Sequence, residues 1–386
     1  MSPRSKKEYL EAIFPRYKKA KLKEQKSEIL NEFCEICGYH RKHAIRVLSK
    51  FKRFTKPKLR KPGKPSVYNQ PAVLQALERI WLDASMPCSK RFITIIPLWL
   101  PHYPGGLNLP VIKSLLKISA STIDRVLRHA RKKHKRVNIS TTKPGTLLRK
   151  QIPIKTNQWD EFRPGFLEAD TVAHCGGCPE GQYANTVDFV DIATGWTEQR
   201  AVWGKGETGV LEQIKDVEQS LPFPLRGFDS DNGGEFLNLH LLRHFTENSQ
   251  RKTQIQFTRS RAYKKDDNAH IEQKNFTHVR QKLGYRRFDD PKIVDLLNDL
   301  YKNEWRLYHN FFLPSVKLIE KERIRSKIIK KHDKPKTPYQ RVLETDPADV
   351  PHTVKQKLTK QLEYLNPFEL KKFIDKKIQK ILNLAS

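Results

Sequence analysis

Apolar positions recur every three or four residues in "KSEILNEFCEICGYHRKHAIRVLSKF" (residues 26–51), at Ile29, Leu30, Phe33, Ile36, Tyr39, Ala44, Val47 and Leu48. That spacing predicts two helices joined by a turn at Gly38, the pattern of a helix-turn-helix. Its second helix would expose Arg41, Lys42, His43 and Arg46 to phosphates or base edges. A further helical stretch ends in "LLKISASTIDRVLRHARKKHKR" (residues 115–136). Ser119 or Ser121 would cap a helix with Ile123, Val126, Leu127 and Ala130 on one face. Arg125, Arg128, Arg131, Lys132 and Lys133 would lie elsewhere on it, as on a recognition helix.

From Phe166 the period shortens to two. "GFLEADTVAH", "YANTVDFVDIAT" and "GWTEQRAVW" predict three strands separated by turn residues. Then "ETGVLEQIKDVEQSL" reads as helix, "PLRGFDSD" as strand and "GEFLNLHLLRHFTEN" as helix. "TQIQFTRS" predicts a fifth strand and "DDNAHIEQKNFTHVRQKLGY" a last core helix. The order β-β-β-α-β-α-β-α predicts a mixed five-stranded α/β sheet with flanking helices. The chain therefore divides into an N-terminal helix-turn-helix (residues 1–55) and a basic, proline-rich linker (56–71). A second helix-turn-helix or winged-helix-like unit (72–140) and an extended connector (141–164) follow. The α/β core occupies residues 165–310 and a basic C-terminal region residues 311–386.

Charge narrows the partner. Of 386 residues, 74 are Lys or Arg and 42 Asp or Glu, a net charge of +32. Self-repulsion on this scale is relieved by a polyanion, which points to nucleic acid. No run of about 18 uncharged apolar residues predicts a membrane span, and "MSPRSKKEYLEAIF" lacks a signal-peptide core. A cytoplasmic location is expected. Five cysteines do not suggest a disulfide framework. Cys34, Cys37, His40 and His43 are too compressed across a helical turn for the usual zinc spacings. His174, Cys175 and Cys178 read as a hairpin tip, so zinc is not expected at either cluster.

Three carboxylates stand at the ends of different elements. Asp170 is late in the first strand, with Glu168 a rival on the same alternation face. Asp231, in "DSDNGGEF", follows the fourth strand before a tight Asn-Gly-Gly turn, with Asp229 its nearest competitor. Glu272 lies in the first turns of the last core helix. Steps of four, three and four residues lead from it to Phe276, Val279 and Leu283, which predicts an inward carboxylate. Carboxylates brought together repel unless a divalent cation neutralises them, and oxygen-only ligands favour Mg²⁺ or Mn²⁺.

This D…DNG…E arrangement resembles the ribonuclease-H-like core of retroviral integrases and DDE transposases. "SRAYKKDDNAHIEQKN", "STTKPGTLLRKQIPI", "DSDNGGEF", "VRQKLGYRRF" and "PKTPYQRVL" are similar to stretches of integrase-core transposases from bacterial insertion sequences. Asp231 and Glu272 stand 41 positions apart, a few more than is usual there. The resemblance implies cleavage at the ends of a mobile DNA element and strand transfer by direct attack on phosphorus. It implies that Asp170 ligates two Mg²⁺ (or Mn²⁺) ions, and Asp231 and Glu272 one each. It also implies phosphate contacts from Lys264, Lys265, Lys274 and Arg280, assembly of copies on double-stranded DNA, and residence with the nucleoid. A catalytically inactive, transposase-derived DNA-binding regulator is the alternative.

Overall fold

The structure, a computed structural model, describes residues 1–51, 66–134, 162–204, 206–230, 236, 239–246, 255–259, 269–324 and 327–385. It divides into two units, Met1–Pro65 and Ser66–Ser386. In the first, α1 (Pro3–Lys19) precedes the expected pair α2 (Lys23–Cys37) and α3 (Arg41–Lys50). Gly38 ends α2 with φ 64°, a left-handed cap that returns its N–H to the Cys34 carbonyl. Ile13 of α1 packs with Phe33, Ala44 and Leu48, so the pair predicted from residues 26–51 gains the third helix that closes its core.

The second unit begins with α4 (Pro71–Asp83), α5 (Ser89–Trp99), α6 (Leu109–Lys117), α7 (Ala120–Val126) and α8 (Arg128–Lys133). Ser119 is the residue that caps α7, accepting from the Thr122 N–H. Strands β1 (Phe166–Ala173), β2 (Ala184–Asp191) and β3 (Thr197–Trp203) follow, then α9 (Glu207–Ser220), β4 (Gly227–Ser230), α10 (Leu239–Thr246) and β5 (Gln256–Arg259). The last core helix starts as α11 (Ala269–Lys274), passes through a π-helical segment (Asn275–Arg280) and ends as α12 (Gln281–Leu283). After it come α13 (Lys292–Leu300), α14 (Arg306–Phe312), a hairpin of β6 (Leu318–Ile324) and β7 (Lys327–His332), and α15 (Pro338–Glu344), α16 (His352–Glu363) and α17 (Pro367–Leu384).

The five core strands form one sheet in the order β3-β2-β1-β4-β5. β1 pairs antiparallel with β2 and parallel with β4, which pairs parallel with β5. The antiparallel meander and the two crossovers through α9 and α10 are the predicted mixed sheet. Gly165 begins it at φ 110°, where a side chain would meet the Pro224 carbonyl at 2.3 Å. One sheet face packs Leu167, Ala169, Val187, Phe189 and Phe228 against α9 and α10. On the other, Val172, Ala184 and Ala201 share a core with Val279, Leu297, Trp305 and the helices at both ends of the unit. Trp99 of α5 meets Phe368 of α17 edge-on at 4.9 Å. The exposed ladder of β3 is closed by two amides: Asn298 exchanges two hydrogen bonds with Ala201, and Asn310 two with Thr197. Among the described residues, no helix is long and apolar enough to cross a membrane.

Candidate active site

Strand alternation sends Leu167 and Ala169 into the phenylalanine-rich core and Glu168, Asp170 and Val172 to the opposite face. On that face the register aligns Gln199, Asp188 and Asp170 across β3, β2 and β1. A second row, Glu168, Asp229 and Thr258, crosses β1, β4 and β5. The helix beginning at Ala269 packs over β1 and β2. The Glu168 carboxylate, buried, accepts the Ile271 N–H at 3.1 Å, which anchors the first turn of α11. Asp170 is half-buried and accepts from its neighbour Thr171 N–H at 2.7 Å and from Asn275 Nδ2 at 2.6 Å. Buried Asp229 accepts from Thr258 Oγ1 at 2.6 Å.

Asp188 faces Asp170 and is fully buried. Burial pushes its carboxyl up to about 8; a hydrogen bond from Gln199 and the Lys274 charge pull it down, and Asp170 pushes it up. Three buried oxygens on this face, Asp188 Oδ2, Gln199 Oε1 and Asn275 Oδ1, have no hydrogen-bond partner among the described residues. Each orphaned oxygen costs about 1–3 kcal/mol. An oxygen-rich patch of this kind is an environment that a hard divalent cation relieves.

Asp231 lies outside the described residues. Ser230, immediately before it, is in register with Ala169, immediately before Asp170. Glu272 has its backbone in α11, three positions ahead of Asn275, and its side chain lies outside the description. The stripe predicted from Glu272 needs correction. Val279 and Leu283 are buried, as is Ile271, but Phe276 is 39% exposed. The reason is the π-helical segment Asn275–Arg280: one extra residue per turn rotates everything beyond it by about 100° relative to a regular helix.

The predicted phosphate contacts fall into three groups. Lys264 and Lys265 lie outside the described residues. Lys274 and Arg280 are half-buried. Burial, then the Arg91 charge, draws Lys274 down to about 8 against the pull of Asp188. Arg280 donates to the Ala173 carbonyl at 2.7 Å and sits 4.9 Å over the Tyr285 ring. Arg125 and Arg128 are exposed at the end of α7 and the start of α8, and Arg41, Lys42 and Arg46 are exposed on α3. Arg41 also reaches back to Asn31 and to Ser27 Oγ, and Arg46 lies 2.9 Å from His43 Nδ1.

In the cysteine and histidine clusters, Cys178 is exposed and Cys34 and Cys175 are half-buried. His40 caps α3 and His43 sits edge-on to Tyr39, while Cys37 is buried in the helical core. His174 is buried against Phe288 and hydrogen-bonded to Thr186; burial draws its pKa down to about 3. Among the described residues, which exclude the carboxylates of Asp231 and Glu272, no three His, Cys, Asp or Glu side chains are grouped to hold a metal. Asp188 and Asn275 escaped the sequence reading. For Asp188 the signal was present, an aspartate between Val187 and Phe189 in mid-strand; Asn275 gave none.

No protein-family model matches the chain. Among curated proteins, the uncharacterized protein y4rM of Sinorhizobium fredii is 36% identical over 342 residues, 86% of this chain and 94% of that protein. Among solved structures, the catalytic core domain of BIV integrase is similar with a TM-score of 0.29 and 14% identity, over 51% of this chain and 98% of that one. The simian T-cell lymphotropic virus intasome, in complex with PP2A regulatory subunit B56 gamma, has a TM-score of 0.33 and 12% identity, over 61% of this chain and 70% of the matched one.

Proposed function

The chain belongs to the family of the uncharacterized Sinorhizobium fredii protein y4rM, and from its own residues we propose that it is a DDE transposase. It would bind the ends of a mobile DNA element, cleave there and transfer the strand by direct attack on phosphorus. The observation that carries this reading is the oxygen-rich sheet face: Asp170 on the central strand β1, buried Asp188 opposite it on β2, and orphaned oxygens alongside. The donor set suits Mg²⁺ or Mn²⁺, with Asp170, Asp231 and Glu272 as the ligands. When bound, such ions activate a water or sugar hydroxyl and stabilise the leaving oxygen.

The chain's own part is positioning. Asn275 and the Thr171 N–H hold the two Asp170 oxygens in place, and Glu168 fixes the helix turn that carries Glu272. The +32 charge draws in the DNA, and the exposed Arg41, Lys42, Arg46, Arg125 and Arg128 are the candidate phosphate contacts. Joining two element ends calls for at least two copies on the DNA. The test is Asp231→Asn with labelled DNA taken from the flanks of the gene. Binding should persist and Mg²⁺-dependent joining should vanish. Joining at the parent rate would sink the proposal; a parent chain that binds the flanks but never joins them would favour the inactive regulator.

A further inference from the structure

Among the described residues, the hairpin of β6 and β7 forms a two-stranded ladder of its own, outside the five-stranded sheet. Its base is pinned to the unit. Ser315 and Lys336 exchange backbone hydrogen bonds, and Asp333 accepts both the Lys317 N–H and the Arg341 guanidinium. Lys317 Nζ also reaches the Ala193 carbonyl at 2.7 Å. Past the base its described side chains are exposed: Leu318, Ile319 and Ile329 at 44%, 63% and 51%, with Glu320, Glu322, Lys330 and Lys331. Residues 317–336 hold nine Lys or Arg and three acids.

The register sorts these charges. Glu320 is opposite Lys331, with an ion pair at 3.6 Å, and Glu322 is opposite Ile329. The alternate positions pair Lys321 with Lys330 and Arg323 with Ile328, with no acid in the set. Like charges directly opposite each other weaken a ladder, and an isolated two-stranded ribbon is marginal to begin with. The arrangement is stable when a polyanion lies along it. A two-stranded ribbon fits the major groove of B-form DNA, about 12 Å wide, and six or seven residues reach about 20 Å along it. The major groove of an A-form RNA duplex is too narrow to admit it.

We propose that the β6–β7 ribbon docks in the major groove of duplex DNA, with the Lys321, Arg323 and Lys330 positions on the flanking phosphates. This rests on the reading of DNA as the substrate. The test titrates the full chain against a fluorescent 30-bp DNA duplex, and the same duplex in RNA, over a range of salt. In K321Q/K330Q the slope of log affinity against log salt should fall by about two, and DNA affinity by about tenfold. K331Q, on the acid-bearing set, should change affinity less. The parent should prefer the DNA duplex. A K321Q/K330Q variant with the parent's circular dichroism and the parent's slope overturns the proposal, as does equal binding of RNA. Strand joining by the parent, scored in parallel, separates the failures: if joining persists while ribbon variants bind unchanged, only the ribbon falls; if the parent binds no DNA, both readings fall.

Discussion

The two faces of the core sheet are made by alternate residues of the same strands, yet they obey different rules. On one, Phe228 is buried with Phe189, Phe236, Phe245 and Phe257 around it, ring centroids 5.0–6.3 Å away. The contacts around Phe228 are apolar and contribute through burial, while the buried charges of this face, Arg200 with Glu198 and with Asp216 of α9, are paired with each other. On the other, Glu168, Asp170, Asp188, Gln199 and Asp229 stand where apolar residues would pack better, and Asp188 Oδ2, Gln199 Oε1 and Asn275 Oδ1 find no partner among the described residues. The difference separates what the sheet needs to fold from what it carries at a cost. A chain selected for stability alone would not keep Asp188 fully buried opposite Asp170.

Substitution on each face should therefore break different properties. Asp170→Asn should reduce Mg²⁺-dependent strand joining by ~10³-fold or more, because the ligand for several kcal/mol of metal assistance is lost. Its melting temperature should stay close to the parent's. Phe228→Ala should do the reverse, costing about 3–5 kcal/mol of stability while the folded fraction keeps its specific joining rate. Paired melting curves and active-fraction-corrected rates check both. If Asp170→Asn unfolds the chain, or Phe228→Ala leaves its melting point unchanged, the division between the faces is wrong.

How much of this the sequence disclosed follows the same division. The order of core strands and helices was legible because the apolar period switches cleanly between two and 3.6. Asp170 stood out because a late-strand carboxylate has few structural uses. The π-helical segment was not legible, since stepping by three and four assumes a regular helix; Phe276 was misplaced for that reason. The β6–β7 hairpin was hidden because its Lys, Glu and Ile alternate without an apolar face. The packing of α5 on α17 joins residues more than 260 positions apart, and no local pattern encodes it.

The polar side should also be the acid-sensitive side. His174, His278 and His309 are buried, and burial holds all three well below the ordinary value of 6.5. His278 and His309 stack at 3.9 Å, so protonating either would place a cation against the other. Above pH 6.5 these rings are neutral in folded and unfolded chains alike and leave stability unchanged. Below it, the unfolded chain takes up protons that the folded chain refuses, so stability falls by up to about 1.4 kcal/mol per pH unit for each ring. Melting temperature should drop between pH 7 and 5, and His309→Gln should flatten that drop. A parent curve with no drop over this range would remove the histidines from the account.

The smallest expected effect is the most discriminating. Asn275 touches the polar face through a single bond, from its amide to Asp170. If that bond only fills space, Asn275→Ala costs a little stability and nothing else. If it orients Asp170 as a ligand, its loss should weaken apparent Mg²⁺ affinity by about tenfold, the low end for partners of metal-binding side chains. Joining rate plotted against Mg²⁺ would then shift to higher concentration and reach the parent plateau, because saturating metal restores the ligand set. A lowered plateau without a shift would instead place Asn275 in the chemistry itself. An unchanged curve would reduce it to packing, and with it the claim that the orphaned oxygens beside Asp170 belong to a cation site.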